Sequence, residues 1–288
     1  MNNYEKLEGM VAATFTPLDE NGDVNLSVID KYADWIASTP IKGVFVCGTT
    51  GEFSSLAIDE RKLILEKWLV SARKRFKVIA HVGSNCQRSA MELARHAAQV
   101  GADAIASIAP SFFKPGTVDE LVDFFAPICH SAAGLPFYYY NMPSITGVNL
   151  PVDKFLVEGK KKIPNLVGTK FTHNNLMEMG VCIELEQHRF EVLHGYDEIL
   201  ISGLAMGAVA GVGSTYNYIP NVYQAIFDSM KMNDLETARH NQIKSIRTVE
   251  VIIKYGGGVR GGKAIMKLIG IDLSLIHISE PTRHLRIS

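Results

Sequence analysis

Asn165-Leu-Val-Gly-Thr-Lys-Phe-Thr172 reads as one short buried strand with a lysine near its end. Strand alternation puts Leu166, Gly168, Lys170 and Thr172 on one face, and Val167, Thr169 and Phe171 on the other. Gly168 then leaves room beneath the lysine. An ammonium on a strand this apolar is costly to bury unless it is paired or put to use. One use is as an amine nucleophile that attacks a carbonyl, which burial of a lysine promotes. The other reading is a strand-end lysine whose head reaches water.

The same short apolar run followed by a helical pattern recurs on both sides of this stretch. The expected strands are 10–15, 43–46, 78–82, 104–109, 137–141, 166–171, 190–194 and 210–213. The expected helices after them are 26–37, 59–74, 88–100, 118–130, 152–158, 176–185, 198–206 and 222–230. Such alternation implies parallel strands with helices outside. Eight units point to a closed α/β architecture, a (β/α)8 TIM barrel. The first βα turn has no G-x-G-x-x-G, which counts against a dinucleotide-binding sheet. Residues 1–231 form the barrel in this reading. Residues 232–272 form a C-terminal helical appendix, with helices at 234–255 and 262–269. The first of these carries an apolar stripe of Leu235, Ala238, Ile243, Ile246, Val249 and Ile253.

Composition narrows the function. With 47% hydrophobic and 20% charged residues, the chain suits a soluble globular protein. Its net charge is −1 and it has no basic block, so no nucleic-acid or anionic-membrane surface is expected. No apolar run reaches the roughly 18 residues of a membrane helix. The N-terminus lacks a signal-peptide layout, and Cys47, Cys86, Cys129 and Cys182 form no CxxC pair. Both features suggest reduced thiols in the cytoplasm. The histidines make no HExxH or similar spacing, so no metal is called for.

In a barrel, chemistry gathers at the C-terminal strand ends. Strand two ends in Gly48-Thr49-Thr50-Gly51-Glu52, whose hydroxyls and backbone amides suit a carboxylate or phosphate. It also fits a plain glycine-rich turn with threonines capping the next helix. Strand five ends in Tyr138-Tyr139-Tyr140-Asn141, where a tyrosine could relay protons or simply fill the core. Strand seven ends in His194-Gly195-Tyr196-Asp197-Glu198. Its carboxylates fit sugar hydroxyls or an acidic first helical turn. Strand eight ends in Gly211-Val212-Gly213-Ser214, where Ser214 could bond a polar ligand. Each site alone is ambiguous. Together they outline a Schiff-base aldolase, with an amine, an anion site and a proton-moving hydroxyl.

These motifs carry a specific resemblance. Gly48–Glu52, Tyr139-Tyr-Asn-Met-Pro143, Gly168-Thr-Lys-Phe-Thr172, Gly195–Glu198 and Gly213-Ser-Thr-Tyr-Asn217 occur in the order found in the dihydrodipicolinate synthase/N-acetylneuraminate lyase family. The chain resembles its N-acetylneuraminate lyase (sialic acid aldolase) branch from about Leu7 to about Asp272. The resemblance implies that Lys170 forms the Schiff base and that Tyr140 moves the proton at the bond being cleaved. It implies that Thr49 and Thr50 hold the carboxylate, and that Thr172, Gly195, Asp197, Glu198 and Ser214 line the sugar end. The implied reaction is reversible cleavage of N-acetylneuraminate to N-acetylmannosamine and pyruvate. No metal or cofactor is needed, because the protonated imine is the electron sink. Family members are commonly homotetramers.

Dihydrodipicolinate synthases usually carry an arginine after the Asn-x-Pro turn, for a second carboxylate. Ile145 stands there, which disfavours a dicarboxylate product. Residues 52–55 (Glu-Phe-Ser-Ser) depart from the lyase form, and the helical appendix stops before the family's last helix. Two other readings remain open at this point. One is an aldolase for a different 2-keto-3-deoxy sugar acid. The other is a non-catalytic sugar-acid binder, whose mark would be loss of the lysine or tyrosine. Finally, 273–283 reads LSLIHISEPTR, which resembles one frame of a transposase-type sequencing adapter. Residues 273–288 are therefore expected to be a non-native tail standing in place of the natural C-terminus.

Overall fold

The computed structural model describes residues 4–274. Its eight strands are β1 Gly9–Ala13, β2 Gly43–Val46, β3 Lys77–His81, β4 Ala104–Ile108, β5 Phe137–Asn141, β6 Leu166–Phe171, β7 Glu191–His194 and β8 Ala210–Gly213. All neighbours pair in parallel, and β8 pairs with β1 to close the barrel. The helices are α1 Val28–Ala37, α2 Ile58–Ala72, α3 Gln87–Val100, α4 Val118–His130, α5 Pro143–Thr146 and α6 Val152–Lys162. They continue as α7 Leu176–Glu184, α8 Leu200–Ala205, α9 Pro220–Lys231, α10 Leu235–Lys254 and α11 Gly258–Leu268.

Strands buried on both faces read as continuous apolar runs, which is why Gly43–Val46 and Phe137–Asn141 stand out in the sequence. Alternation then divides each strand between two cores. Val11, Phe45, Ile79, Ala106, Tyr138, Tyr140, Leu193 and Val212 fill the barrel interior. Val44, Val78, Ile105, Phe137, Tyr139 and Val192 pack outward against helix residues such as Trp68, Phe125 and Phe155. Side-chain caps mark several helix starts. Thr117 accepts from Glu120 N, Asn175 from Glu178 N and Asp234 from Thr237 N, each worth about 1 kcal/mol.

Four readings of the sequence change. First, Phe137 pairs with Leu166 but Tyr138 with Gly168, so Val167 is an extra residue in β6. This bulge turns Leu166 into the outer core, away from the Gly168 and Lys170 face, while Val167 packs toward the interior. Second, the space at Gly168 is not room for the lysine, because a Cβ there would overlap the Glu191 carbonyl of β7. Third, the helix expected at 198–206 is a 3-10 turn, Asp197–Ile199, joined to α8. Ile199, at φ −132° and ψ 29°, interrupts the helical path between them. Fourth, the apolar stripe on α10 is only partly buried. Leu235, Ile243 and Ile253 are exposed and Ile246 and Val249 half-buried, whereas Ala238 is buried together with Asn241, Gln242, Ser245 and Ile252. Apart from Leu273 and Ser274, the expected non-native tail lies outside the described residues.

The lower end of the barrel is closed. Tyr138 Oη donates to Glu191 Oε2 at 2.9 Å, Tyr4 Oη meets Tyr138 Oη, and Leu7 N donates to the same carboxylate at 2.9 Å. The opposite end, at the C-terminal strand ends, is where the polar side chains singled out above converge.

Candidate active site

Lys170 lies next to last in β6, opposite Tyr140 of β5 and Leu193 of β7. Its side chain points into the barrel and is only 4% exposed. The Nζ atom lies 4.0 Å from the centre of the Tyr140 ring and 4.4 Å from that of Phe45. Two aromatic faces thus hold the amine, whose cation their quadrupoles attract.

Tyr140 Oη lies 3.2 Å from Thr49 Oγ1 and donates to Met142 Sδ at 3.0 Å. Either hydroxyl can donate in the Thr49–Tyr140 contact, so a proton can pass in either direction between them. Strand alternation distinguishes the three tyrosines. Tyr139 faces the helices, Tyr138 the closed lower end, and Tyr140 the open mouth.

Thr49 and Thr50 are both half-buried on the loop that leaves β2. Cys47 and Glu52 bracket this loop in left-handed backbone, with φ 55° and 57°. Such geometry in non-glycine residues persists only where neighbours enforce it. The His81 Nδ1–H donates to the Cys47 carbonyl at 2.8 Å, and Thr16 Oγ1 donates to the Gly51 carbonyl at 2.7 Å. Because Nδ1 must carry the proton, Nε2 of His81 is left as a buried lone pair. Burial, with Arg61 and Lys170 nearby, holds this imidazole well below its ordinary pKa, so it stays neutral.

Thr172 and Gly195 meet across β6 and β7. Gly195 N donates to the Phe171 carbonyl at 2.9 Å, and a Cβ at Gly195 would overlap Thr172 Oγ1. Thr172 is 3% exposed and its hydroxyl has no partner among the described residues. Asp197 is buried too. Its Oδ2 accepts from Thr215 N at 2.8 Å and Thr215 Oγ1 at 2.6 Å, and its Oδ1 is unpartnered among the described residues. Gly213 is required beneath it, since a Cβ there would overlap Oδ1. Burial pushes the Asp197 carboxyl up to about 6, against the two Thr215 bonds that favour the anion. Glu198 and Ser214 are half-buried on the same rim. Asn217 Nδ2 fixes the Ser214 loop by donating to Ala13 O at 2.8 Å and Ser214 O at 2.7 Å.

Most of the predicted residues thus fall into three groups. Lys170, Tyr140 and Thr49 touch directly or through one ring. Thr172 meets Gly195, while Asp197 and the Ser214 loop meet through Thr215. Phe45, His81 and Met142 belong to the first group and were not singled out from the sequence. The inward positions of Phe45 and His81 are concealed because every residue of β2 is buried and β3 is buried beyond its first residue. A cavity of about 210 Å³ opens beside Thr49, bounded by Phe53, Ser84, Asn85, Ile108 and Ile145. Ile145 is 59% exposed, so it offers this cavity an apolar wall and no positive charge.

A model of the dihydrodipicolinate synthetase family matches residues 6–284, running past the Asp272 limit read from the motifs. The N-acetylneuraminate lyase of Mus musculus is 42% identical over 268 residues, covering 92% of this chain and 84% of its own. That of Gallus gallus is 43% identical over 272 residues, covering 93% and 88%. Among solved structures, Proteus mirabilis N-acetylneuraminate lyase superposes with a TM-score of 0.91 at 36% identity, covering 98% of this chain and 93% of that one. A catalytic lysine mutant of Ruminococcus gnavus sialic acid aldolase superposes with a TM-score of 0.89 at 28% identity, covering 95% and 89%.

Proposed function

Because the chain belongs to the dihydrodipicolinate synthetase family, we propose that it is a class I aldolase that reversibly cleaves N-acetylneuraminate to N-acetylmannosamine and pyruvate. The observation that carries this reading is the Lys170 amine, buried against the Tyr140 ring whose hydroxyl meets Thr49. The lysine of the Ruminococcus gnavus aldolase is named as catalytic, which supports giving Lys170 the same part.

In this reading Lys170 attacks the C2 keto carbon of the open-chain sugar acid and loses water to form an imine. Thr49, Thr50 and the backbone amides of their loop hold the C1 carboxylate. Tyr140 relays the proton of the C4 hydroxyl as the C3–C4 bond breaks, taking it on Oη while its own phenol proton passes to the C1 carboxylate. The bonding electrons pass into the protonated imine, giving an enamine on Lys170 and the aldehyde of N-acetylmannosamine. Protonation at C3 and hydrolysis of the imine then release pyruvate and restore the amine. Thr172, Gly195, Asp197, Glu198 and Ser214 receive the remaining hydroxyls. The unpartnered Thr172 hydroxyl and Asp197 Oδ1 are the groups most in need of such a partner.

Ile145 supports a sugar acid over a dicarboxylate, since an isoleucine cannot pair with a second carboxylate. A homotetramer follows from the resemblance. The exposed Phe112 and Phe113 by the mouth, and Ile243 and Ile253 on α10, are apolar surface that assembly would cover. A cytoplasmic setting fits the four unbridged cysteines. No described helix is long and apolar enough to cross a membrane. Turnover on a panel of 2-keto-3-deoxy sugar acids tests the substrate. The reading requires N-acetylneuraminate to give the highest kcat/KM, and preference for an unrelated sugar acid would overturn it.

A further inference from the structure

The buried faces of α10 and α11 carry polar side chains beside Ala238, Ile252 and Met266, and two of them, Gln242 and Lys263, end on different loops of the barrel mouth. Lys263 of α11 pairs with Glu52 at 2.8 Å, the two side chains being 4% and 5% exposed. Glu52 is the left-handed residue that closes the loop bearing Thr49 and Thr50. Gln242 of α10 donates from Nε2 to the Asp197 carbonyl at 3.0 Å and accepts from Ile201 N at 2.8 Å. It therefore spans the turn that carries Asp197 and Glu198. Ser245 Oγ holds the Gln242 amide from behind at 2.6 Å.

Stability alone does not account for these choices. A buried ion pair roughly breaks even against apolar side chains of equal volume. What a directed pair provides is position. The near end of the first loop is pinned by His81 on Cys47, and its far end by Thr16 on Gly51 and by Lys263 on Glu52. Gly262, beside Lys263, packs so closely on Phe15 that a Cβ there would overlap the ring, which fixes how far α11 stands from the barrel.

We propose that the C-terminal helix pair positions the two ends of the substrate separately, Lys263 through Glu52 at the carboxylate end and Gln242 through the Asp197 backbone at the sugar end. The inference rests on the aldolase reading above. Lys263 and Gln242 are positioning residues, and neither touches the reacting atoms.

The test uses the full chain with Glu52→Gln, which removes the charge at constant length, and Gln242→Met, which removes both hydrogen bonds at similar length. Two quantities are read. One is the pyruvate concentration that half-saturates borohydride trapping at Lys170, and the other is the KM for N-acetylmannosamine in the condensation direction. Neither depends on what fraction of a sample is folded. Glu52→Gln is expected to raise the first by about fivefold or more and the second by less than about twofold, and Gln242→Met the reverse. Lys263→Arg, which keeps the cation, should fall between Glu52→Gln and the parent. Equal shifts in both quantities, or no shift in either, would overturn the inference while leaving the aldolase reading intact. Absence of any adduct in the unsubstituted chain would overturn both.

Discussion

The Lys170 amine lies 4.0 Å from the centre of the Tyr140 ring, and the same ring carries the hydroxyl that meets Thr49. One side chain thus makes two contacts that can be separated. Tyr140→Phe keeps the aromatic face and removes the hydroxyl. It should form the pyruvate adduct normally while cleavage slows about a hundred- to ten-thousandfold, the usual contribution of a positioned proton donor and acceptor. Tyr140→Ala should impair both. Single-turnover trapping beside steady-state cleavage distinguishes the two steps, and equal losses in Tyr140→Phe would contradict this division.

Gly168 is the residue that lets β6 and β7 approach at the level of the bulge. A Cβ there would overlap the Glu191 carbonyl, which is backbone and cannot rotate aside. Gly168→Ala should destabilise the chain by about 1–3 kcal/mol, as overpacking a filled core does. Urea unfolding checks this value, and an unchanged midpoint would contradict the close approach.

At the rim, Gly195 keeps clear the space occupied by the Thr172 hydroxyl. Gly195→Ala should displace that hydroxyl and raise the KM for N-acetylmannosamine about tenfold, the scale of one lost hydrogen bond. Pyruvate trapping at Lys170 should hold. A variant that loses trapping as well would show that Thr172 acts on the whole site.

Much of this was legible in the chain itself, for identifiable reasons. Strands β2, β5, β6 and β8 are apolar runs bounded by turn residues, and their limits follow from composition. Lys170 stood out because a cation interrupts such a run. The bulge at Val167 did not, because period-two alternation contains no sign of an extra residue. His81 and Phe45 were hidden because β2 is buried throughout and β3 nearly so. Gln242 was hidden for another reason. It is a polar residue within the apolar stripe of α10, one turn from both Ala238 and Ile246, and its partners, Asp197 and Ile201, are more than forty residues away in sequence.

Asp197 gives a pH dependence of definite sign. Its carboxyl is raised from 3.8 to about 6 in the folded chain. Between those values the folded state keeps a proton that the unfolded state has released. Stability from this group is therefore full below pH 3.8, falls as pH rises through the window, and is lost above about pH 6. Asp197→Asn removes the titration. The stability of the variant relative to its parent should rise between pH 4 and pH 6, by on the order of 3 kcal/mol, and then level off. Denaturant unfolding of both chains across that range provides the check, and a constant difference would show that Asp197 is not held in its neutral form.

The central claim is that Lys170 is the Schiff-base lysine. Incubation with pyruvate and borohydride, followed by peptide mass analysis, tests it most directly. The account predicts one covalent adduct, on Lys170, that disappears in Lys170→Ala while the circular dichroism of the barrel is kept. No adduct, or an adduct on another lysine such as the buried Lys263, would contradict it.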